Sequence, residues 1–242
     1  VTRDVPSVSV EALTAPPGVP LAPVDAPTAT PGTPLTSVDA PTATPGTPLT
    51  SVDALMALLA DCAGVWDTPD RSGDPVDILD HGLQVAAVLA EHHPEDEELQ
   101  VAGLVHDIGH HLVPGDESGH GEHAAAAVAG LLGERVARLV ALHIDAKRYL
   151  AAADPAHALS PESARTLSCQ GGPMSPAERA AFEADPHFTA ALALRRADDA
   201  GKVVGLAVPG LERWRLAVER VVNAAAPGRS GLGGSGLGRP QP

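Results

Sequence analysis

Val105-His106-Asp107-Ile108-Gly109-His110, inside the longer run Leu99 to Leu112, is the stretch on which the reading of this chain turns. Leu99, Ala102 and Gly103 recur at helical spacing ahead of His106, so the run reads as a helix with His110 one turn further along the same face. A histidine followed directly by an aspartate offers two adjacent metal-ligand types, and two carboxylate oxygens let Asp107 touch one ion or bridge two. An isolated His-Asp pair is also an ordinary polar helix end. What the rest of the chain sets beside it decides between the two.

Outward from this stretch the pattern is helical between about 51 and 225. No strand alternation interrupts it, so the fold class is all-α. Ser51-Val52-Asp53 caps a helix through Leu55, Leu58 and Leu59, and the loop 71–75 precedes a helix from Val76 to His93 with His81, Val85 and Val88 on one stripe. Pro94-Glu95-Asp96-Glu97 opens the next helix, with acids in the turn where the helix dipole favours them, and that helix is read to His110-His111. After a polar loop, His120 opens an alanine-rich helix to Leu132, and Val136, Leu139, Val140, His143 and Lys147 mark another. Residues 151–175, with Asp154-Pro155, Ser160-Pro161 and Gly171-Gly172-Pro173, read as mostly irregular. Ser175-Pro176-Ala177-Glu178 carries a capping box and a first-turn proline, and Phe188–Gly205 and Leu211–Asn223 read as the last helices. Aromatic residues make up 2% of the chain, so the core falls to Leu, Val and Ala.

His81, His106, His120 and His143 each lie on or at the start of a separate predicted helix, and Asp107 and Asp198 join them. Histidines and carboxylates from different helices, projecting into a bundle core, are how helical proteins hold a metal pair. These six ligands exceed what one ion uses with a position left open, and suit two ions bridged by Asp107.

The chain has 242 residues and a net charge of −15, which argues against non-specific nucleic-acid binding while leaving room for an anionic small substrate met by a few gathered cations. Cys62 and Cys169 form neither a disulfide framework nor a zinc spacing. No apolar run reaches membrane-span length and no signal peptide precedes the core, so the expectation is a cytoplasmic protein without a membrane, nucleic-acid or evident protein partner. Pro27–Ala40, PTATPGTPLTSVDA, is repeated unchanged as Pro41–Ala54, with a degenerate copy at Leu13–Ala26. Segments this poor in large apolar residues cannot offset chain entropy, so residues 1–50 read as a disordered arm without a catalytic role. Residues 51–225 read as the core, and 226–242 as a flexible Gly-rich tail.

The order His81, His106-Asp107, Asp198 resembles the HD-domain superfamily of metal-dependent phosphohydrolases, and the intervening His120 and His143 resemble its dinuclear members. Closer still, Leu142–Leu150 (LHIDAKRYL), Gln170–Ser175 (QGGPMS) and Arg195–Lys202 (RRADDAGK) resemble the mixed-valent diiron HD-domain oxygenases of phosphonate degradation, relatives of myo-inositol oxygenase. The resemblance spans about 71 to 220 and implies an HD-domain helical bundle. It further implies a mixed-valent Fe(II)/Fe(III) pair and O2 that cleave the C–P bond of a 1-hydroxyalkylphosphonate, giving a carboxylate and phosphate. By motif position His81, His106 and Asp198 would hold one iron, His120 and His143 the other, and Asp107 would bridge. His123 competes with His120, which is preferred for its His-x-x-x-Ala-Ala context.

On the same resemblance His110, Lys147 and Asp74 are the catalytic candidates, and Lys147, Arg195, Thr166, Gln170, Lys202, Arg71 and Asp74 the substrate contacts. Arg195, Asp198 and Lys202 share a helix face, three and four residues apart. The aminophosphonate-cleaving relatives carry a gating tyrosine and, three residues later, a glutamate that meets the substrate amine. Here those places fall on Arg71 and Asp74. The gate is then expected to be absent, and the shorter Asp74 to leave room for a larger cationic group such as trimethylammonium, giving glycine or glycine betaine as the carboxylate. Two other readings stay open: an HD phosphohydrolase acting on a phosphomonoester or nucleotide through a metal-activated water, and a non-catalytic HD-type ligand sensor.

Overall fold

Helix α1, Val52–Asp61, begins where the Ser51 hydroxyl accepts a hydrogen bond from the Ala54 amide at 3.1 Å, as its capping sequence requires. The structure is a computed structural model and describes residues 47–226 apart from Pro69 and 155–158. The repeats before Thr47 and the tail after Ala226 therefore lie outside the described residues. Leu49, just before the boundary read at 50, packs on the core, and its amide donates to the Ala127 carbonyl at 2.9 Å.

The remaining elements are α2 (Ile78–His92), α3 (Glu97–Val105), α4 (Gly109–Leu112), α5 (His120–Leu132), α6 (Glu134–Ala153), α7 (Pro161–Cys169), α8 (Pro176–Glu183), α9 (Phe188–Ala200) and α10 (Leu211–Ala225). Among the described residues there is no strand, in keeping with the all-α expectation. Helix α2 packs against α3 and α9, α6 packs against α3, α5 and α9, and α10 lies on α1, α3 and α5. The buried faces carry Leu55, Leu59, Leu89, Leu99, Leu132, Leu139, Leu142 and Leu194, the aliphatic core that a chain so poor in aromatics must build. Among the described residues no helix is long and apolar enough to cross a membrane.

Two glycines set how closely the site-bearing elements approach. A Cβ on Gly82 of α2 would lie 2.5 Å from the Leu104 carbonyl oxygen of α3, and one on Gly109 of α4 only 1.9 Å from the His120 carbonyl oxygen of α5. The close contacts at α2–α3 and α4–α5 both exist because a side chain is missing.

The structure departs from the sequence reading at three places. The helix read to His110-His111 ends at Val105. Its hydrogen bonds tighten to three-residue spacing, from the Ile108 amide to the Val105 carbonyl (3.3 Å) and from the His110 amide to the Asp107 carbonyl (3.1 Å), so His106 and His110 do not share one continuous helix face. Residues 151–175 are not mostly irregular, since α6 runs to Ala153 and α7 begins at Pro161 behind a Ser160 cap. Helix α9 stops at Ala200 instead of Gly205, and the Gly201 carbonyl beyond it turns to His81.

Candidate metal centre

Five elements deliver the predicted ligands to one place. His81 comes from the first turn of α2, His106 and Asp107 from the break after α3, His120 from the start of α5, His143 from the middle of α6 and Asp198 from the last turn of α9. The four imidazoles and Asp198 are buried. Each imidazole is fixed in the same way: Nδ1 of His81, His106, His120 and His143 meets the backbone carbonyl of Gly201, Gly103, Glu117 and Val140 at 2.7, 2.9, 2.8 and 2.6 Å. A ring that donates from Nδ1 to a carbonyl presents a lone pair at Nε2, and such outer contacts orient metal-binding histidines.

The Nε2 atoms converge on the two aspartates. Asp107 Oδ2 lies 3.4 Å from His81 Nε2 and 3.3 Å from His106 Nε2, while its Oδ1 lies 3.4 Å from His120 Nε2 and 3.6 Å from His143 Nε2. The two oxygens of one carboxylate thus face two different pairs of imidazoles. Asp198 sides with the first pair, 3.3 Å from His81 and 3.9 Å from His106.

This donor set fits cations. His81 Nε2 and His106 Nε2 are buried without a hydrogen-bond partner. His120 Nε2 and His143 Nε2 stand 2.9 Å apart, and with both Nδ1 atoms donating to carbonyls these are two lone pairs face to face. A positive ion beside each pair removes both conflicts. Without one, protons must do so: burial pulls the His81 pKa down, but Asp107 and Asp198 outweigh it and push it up to about 10. Burial together with neighbouring imidazoles holds His143 well below the usual histidine range.

Beside this cluster is a small cavity of about 40 Å³, reached by Lys147 of α6, Thr166 of α7, Gln170 just after it, Lys202 after α9, and Asp74. The Lys147 ammonium donates to Thr166 Oγ1 at 2.6 Å and Gln170 Oε1 at 2.8 Å. An ammonium has three donors, so one N–H remains. Among the described residues no carboxylate is within ion-pair distance of it, and burial, then Arg195, lowers its pKa to about 8.

The HD domain family model matches residues 78–186, the span from α2 to just before α9. The chain is 40% identical over 152 residues, 58% of this chain and 75% of the relative, to hydroxymethylphosphonate dioxygenase of Gimesia maris. It is 34% identical over 161 residues, 62% of this chain and 82% of the relative, to the 1-hydroxy-2-(trimethylamino)ethylphosphonate dioxygenase (glycine-betaine-forming) of Leisingera caerulea. The chain belongs to the HD-domain phosphonate oxygenases. An uncharacterized protein of Acanthamoeba polyphaga mimivirus is a further relative, 32% identical over 158 residues, 60% of this chain and 72% of that one.

In this oxygenase the residues expected on the substrate side divide. Lys147, Thr166, Gln170, Arg195, Lys202, Asp74 and His110 all line the cavity. Arg195 is nonetheless spent on carboxylates: it donates to Asp198 Oδ2 at 2.7 Å, to both oxygens of Asp199, and to Ser163 Oγ at 3.1 Å. It orients Asp198 and has little left for an anion. Asp74 is likewise engaged, taking Lys202 Nζ at 2.6 Å and the Ser160 hydroxyl at 3.0 Å, so the carboxylate expected to meet a substrate amine already has an internal cation. Arg71 does not line this cavity; its guanidinium lies over the Trp66 ring, 3.9 Å from the centroid.

His110 stacks on His120 with centroids 4.0 Å apart, and burial followed by His120 lowers its pKa to about 3, so its ring is neutral. Its Nδ1 is buried without a partner. With Asp107 and His120 it forms a further group whose ligand atoms lie within 4.8 Å of one another, a proximity the sequence reading did not anticipate. His123, the rival of His120, turns to Asp116 at 2.8 Å. Asp67, Glu162 and Ser163 also line the cavity and were not expected there. The cap signature Ser160-Pro161 was a signal for the last two, since it opens the helix that carries them.

Proposed function

We propose that this oxygenase uses O2 and a mixed-valent Fe(II)/Fe(III) pair to cleave the C–P bond of a small 1-hydroxyalkylphosphonate. The observation that carries the reading is the divided Asp107 carboxylate, serving two imidazole pairs, with the acid-free ammonium of Lys147 lining the adjacent cavity. His81, His106 and Asp198 would hold one iron, His120 and His143 the other, and Asp107 both. When bound, the pair supplies the electron exchange with O2 that the side chains themselves lack.

The residues of the chain bind and orient. Lys147 offers its remaining N–H and its charge to a phosphonate oxygen, while Thr166 and Gln170 fix the ammonium in place. The neutral His110 ring, with Nδ1 unpartnered, accepts the hydrogen bond of the substrate hydroxyl. Arg195 holds Asp198 against the first imidazole pair. For the simplest substrate the balance is hydroxymethylphosphonic acid plus O2 giving formic acid plus phosphoric acid. The C–P bond breaks, and carbon and phosphorus each gain one oxygen. The names of the two dioxygenase relatives support this substrate class. A cationic amine end, expected at Asp74, loses its acceptor to Lys202, so the nature of the substituent passes to the residues around His110.

A panel of 1-hydroxyphosphonates incubated in air and under argon tests the reading. Phosphate and the matching carboxylate should appear only in air. Anaerobically purified protein should hold close to two irons per chain, with the paramagnetic signal of a coupled mixed-valent pair after partial oxidation. Phosphate release that is equal under argon, or from phosphomonoesters alone, would establish the hydrolase instead.

A further inference from the structure

A second cavity, of about 300 Å³, shares Asp67 and His110 with the catalytic one. A substrate substituent directed past His110 would enter it. It is lined by residues 64–68 and Arg71, in the loop between α1 and α2, and by Pro114 and Gly115. Asp67 fastens that loop by accepting the amides of Thr68 at 2.8 Å and Asp74 at 3.1 Å. Among the described residues Trp66 is the one aromatic side chain lining either cavity apart from the histidines.

Arg71 covers the Trp66 ring, 3.9 Å from the centroid. Among the described residues no carboxylate is within ion-pair distance of it, so the ring is the partner its guanidinium has. It is also the one non-glycine residue among those described with a positive φ, 59°. The left-handed region is unfavourable for an L-residue, and here the turn is closed by the Arg71 amide donating to the Thr68 carbonyl at 3.0 Å.

A quaternary ammonium donates no hydrogen bond and is recognised chiefly by aromatic faces. Here that face already holds a cation. A trimethylammonium substituent would have to displace the guanidinium and then meet its charge. Asp67 is the carboxylate among the residues lining this cavity, and its oxygens already accept the Thr68 and Asp74 amides. A substituent that is hydrogen or uncharged displaces nothing. Resting on the phosphonate-oxygenase reading above, we infer that Arg71 on Trp66 is a specificity device, an internal cation filling the aromatic site, so that this enzyme selects 1-hydroxyphosphonates without a positively charged substituent.

The test uses the full-length iron-loaded protein and two substrates, hydroxymethylphosphonate and 1-hydroxy-2-(trimethylamino)ethylphosphonate. Wild type should favour the first in kcat/KM by tenfold or more. Arg71→Gly removes the cation and suits the positive φ, so the variant should fold, and it should shift the ratio at least tenfold towards the trimethylammonium substrate. Adding Trp66→Leu should abolish that shift. A second readout needs no turnover. In a Trp214→Phe background Trp66 is the sole tryptophan, and tetramethylammonium should quench its emission saturably only when Arg71→Gly is also present. A wild-type preference for the trimethylammonium substrate, or equal tetramethylammonium binding with and without Arg71, would overturn the inference. Should wild type consume neither phosphonate, the proposed function fails, and the fluorescence titration still decides the role of Arg71.

Discussion

Asp107 is a single carboxylate that addresses two half-sites, Oδ2 towards His81 and His106, Oδ1 towards His120 and His143. Asp198 addresses only the first half. The two aspartates should therefore fail differently. Asp107→Ala should leave close to no metal in either position, whereas Asp198→Ala should lower occupancy by about one ion per chain, as read by elemental analysis of the purified variants. Equal losses from the two would show that Asp107 serves one ion only. Lys147 gives a second outcome at this scale. Burial, then Arg195, brings its pKa down to about 8, so the charge proposed to receive the phosphonate is full well below that pH and fades above it. The kcat/KM should fall by up to tenfold per pH unit above about 8, and Lys147→Gln, already uncharged, should be slower throughout and lack that limb. The four histidines that converge on Asp107 were legible as candidates because each falls on or beside a separate helical stretch of the sequence. The state of Asp74 was not, because its partner Lys202 is remote in sequence and only the folded chain brings the two to 2.6 Å.

Helices α2, α3, α5, α6 and α9 were readable from apolar periodicity because each turns leucine, valine or alanine to the core. Helix α7 was not. Its buried residues are Glu162, Ser163 and Thr166, a polar face turned to the cavity, so the usual apolar stripe is missing where function is densest. The break after Val105 escaped for a related reason, since apolar spacing continues through Ile108 and Leu112 although the hydrogen bonds change register. The break matters because it lets α4 lie against the first turn of α5, with Gly109 beneath the His120 carbonyl. Gly109→Ala would place a methyl carbon 1.9 Å from that oxygen, and it can be accommodated only by moving the turn that carries His120. Overpacking of this kind costs about 1–3 kcal/mol. Thermal unfolding should shift down by roughly 2–10 °C, and metal content should fall with it. A Gly130→Ala control meets nothing within 4 Å and should be neutral or slightly stabilising. A Gly109→Ala protein with normal melting and normal metal would mean that α4 and α5 do not depend on this approach.

For the molecule as a whole, the dense polar cluster at the centre ties stability to metal and to pH. In the metal-free chain Asp107 and Asp198 keep carboxylate pKa values well below the usual range, because imidazoles and Arg195 outweigh the burial that opposes them. The same contacts raise His81 to about 10 against burial. A histidine raised from about 6.5 in the unfolded chain to about 10 in the fold contributes stability that is complete below about 6.5 and is lost as pH rises towards 10. His106, His110 and His143 are lowered, mainly by burial, and work in the opposite sense until about a pH unit above 6.5, where histidines of the unfolded chain have lost their protons. Lys147 enters only above about 8, and Cys62, raised by burial to about 12, only above its unfolded value near 9. Between pH 6.5 and 8 His81 is the described group whose shift weakens the fold as pH rises, and comparison with His81→Gln isolates its share from the opposing histidines and Lys147. Relative to His81→Gln, metal-free wild type should lose up to about 1.4 kcal/mol per pH unit across that window, or roughly 1.5 kcal/mol in all, read as a change in the difference between the two urea midpoints. The metal-loaded protein should behave differently. An ion needs the neutral imidazole and displaces its proton, so metal binding strengthens over the same range and the gap between loaded and chelated protein widens with pH. A difference between chelated wild type and chelated His81→Gln that stays constant between pH 6.5 and 8 would show that the proton does not reside on His81 when the metal is gone.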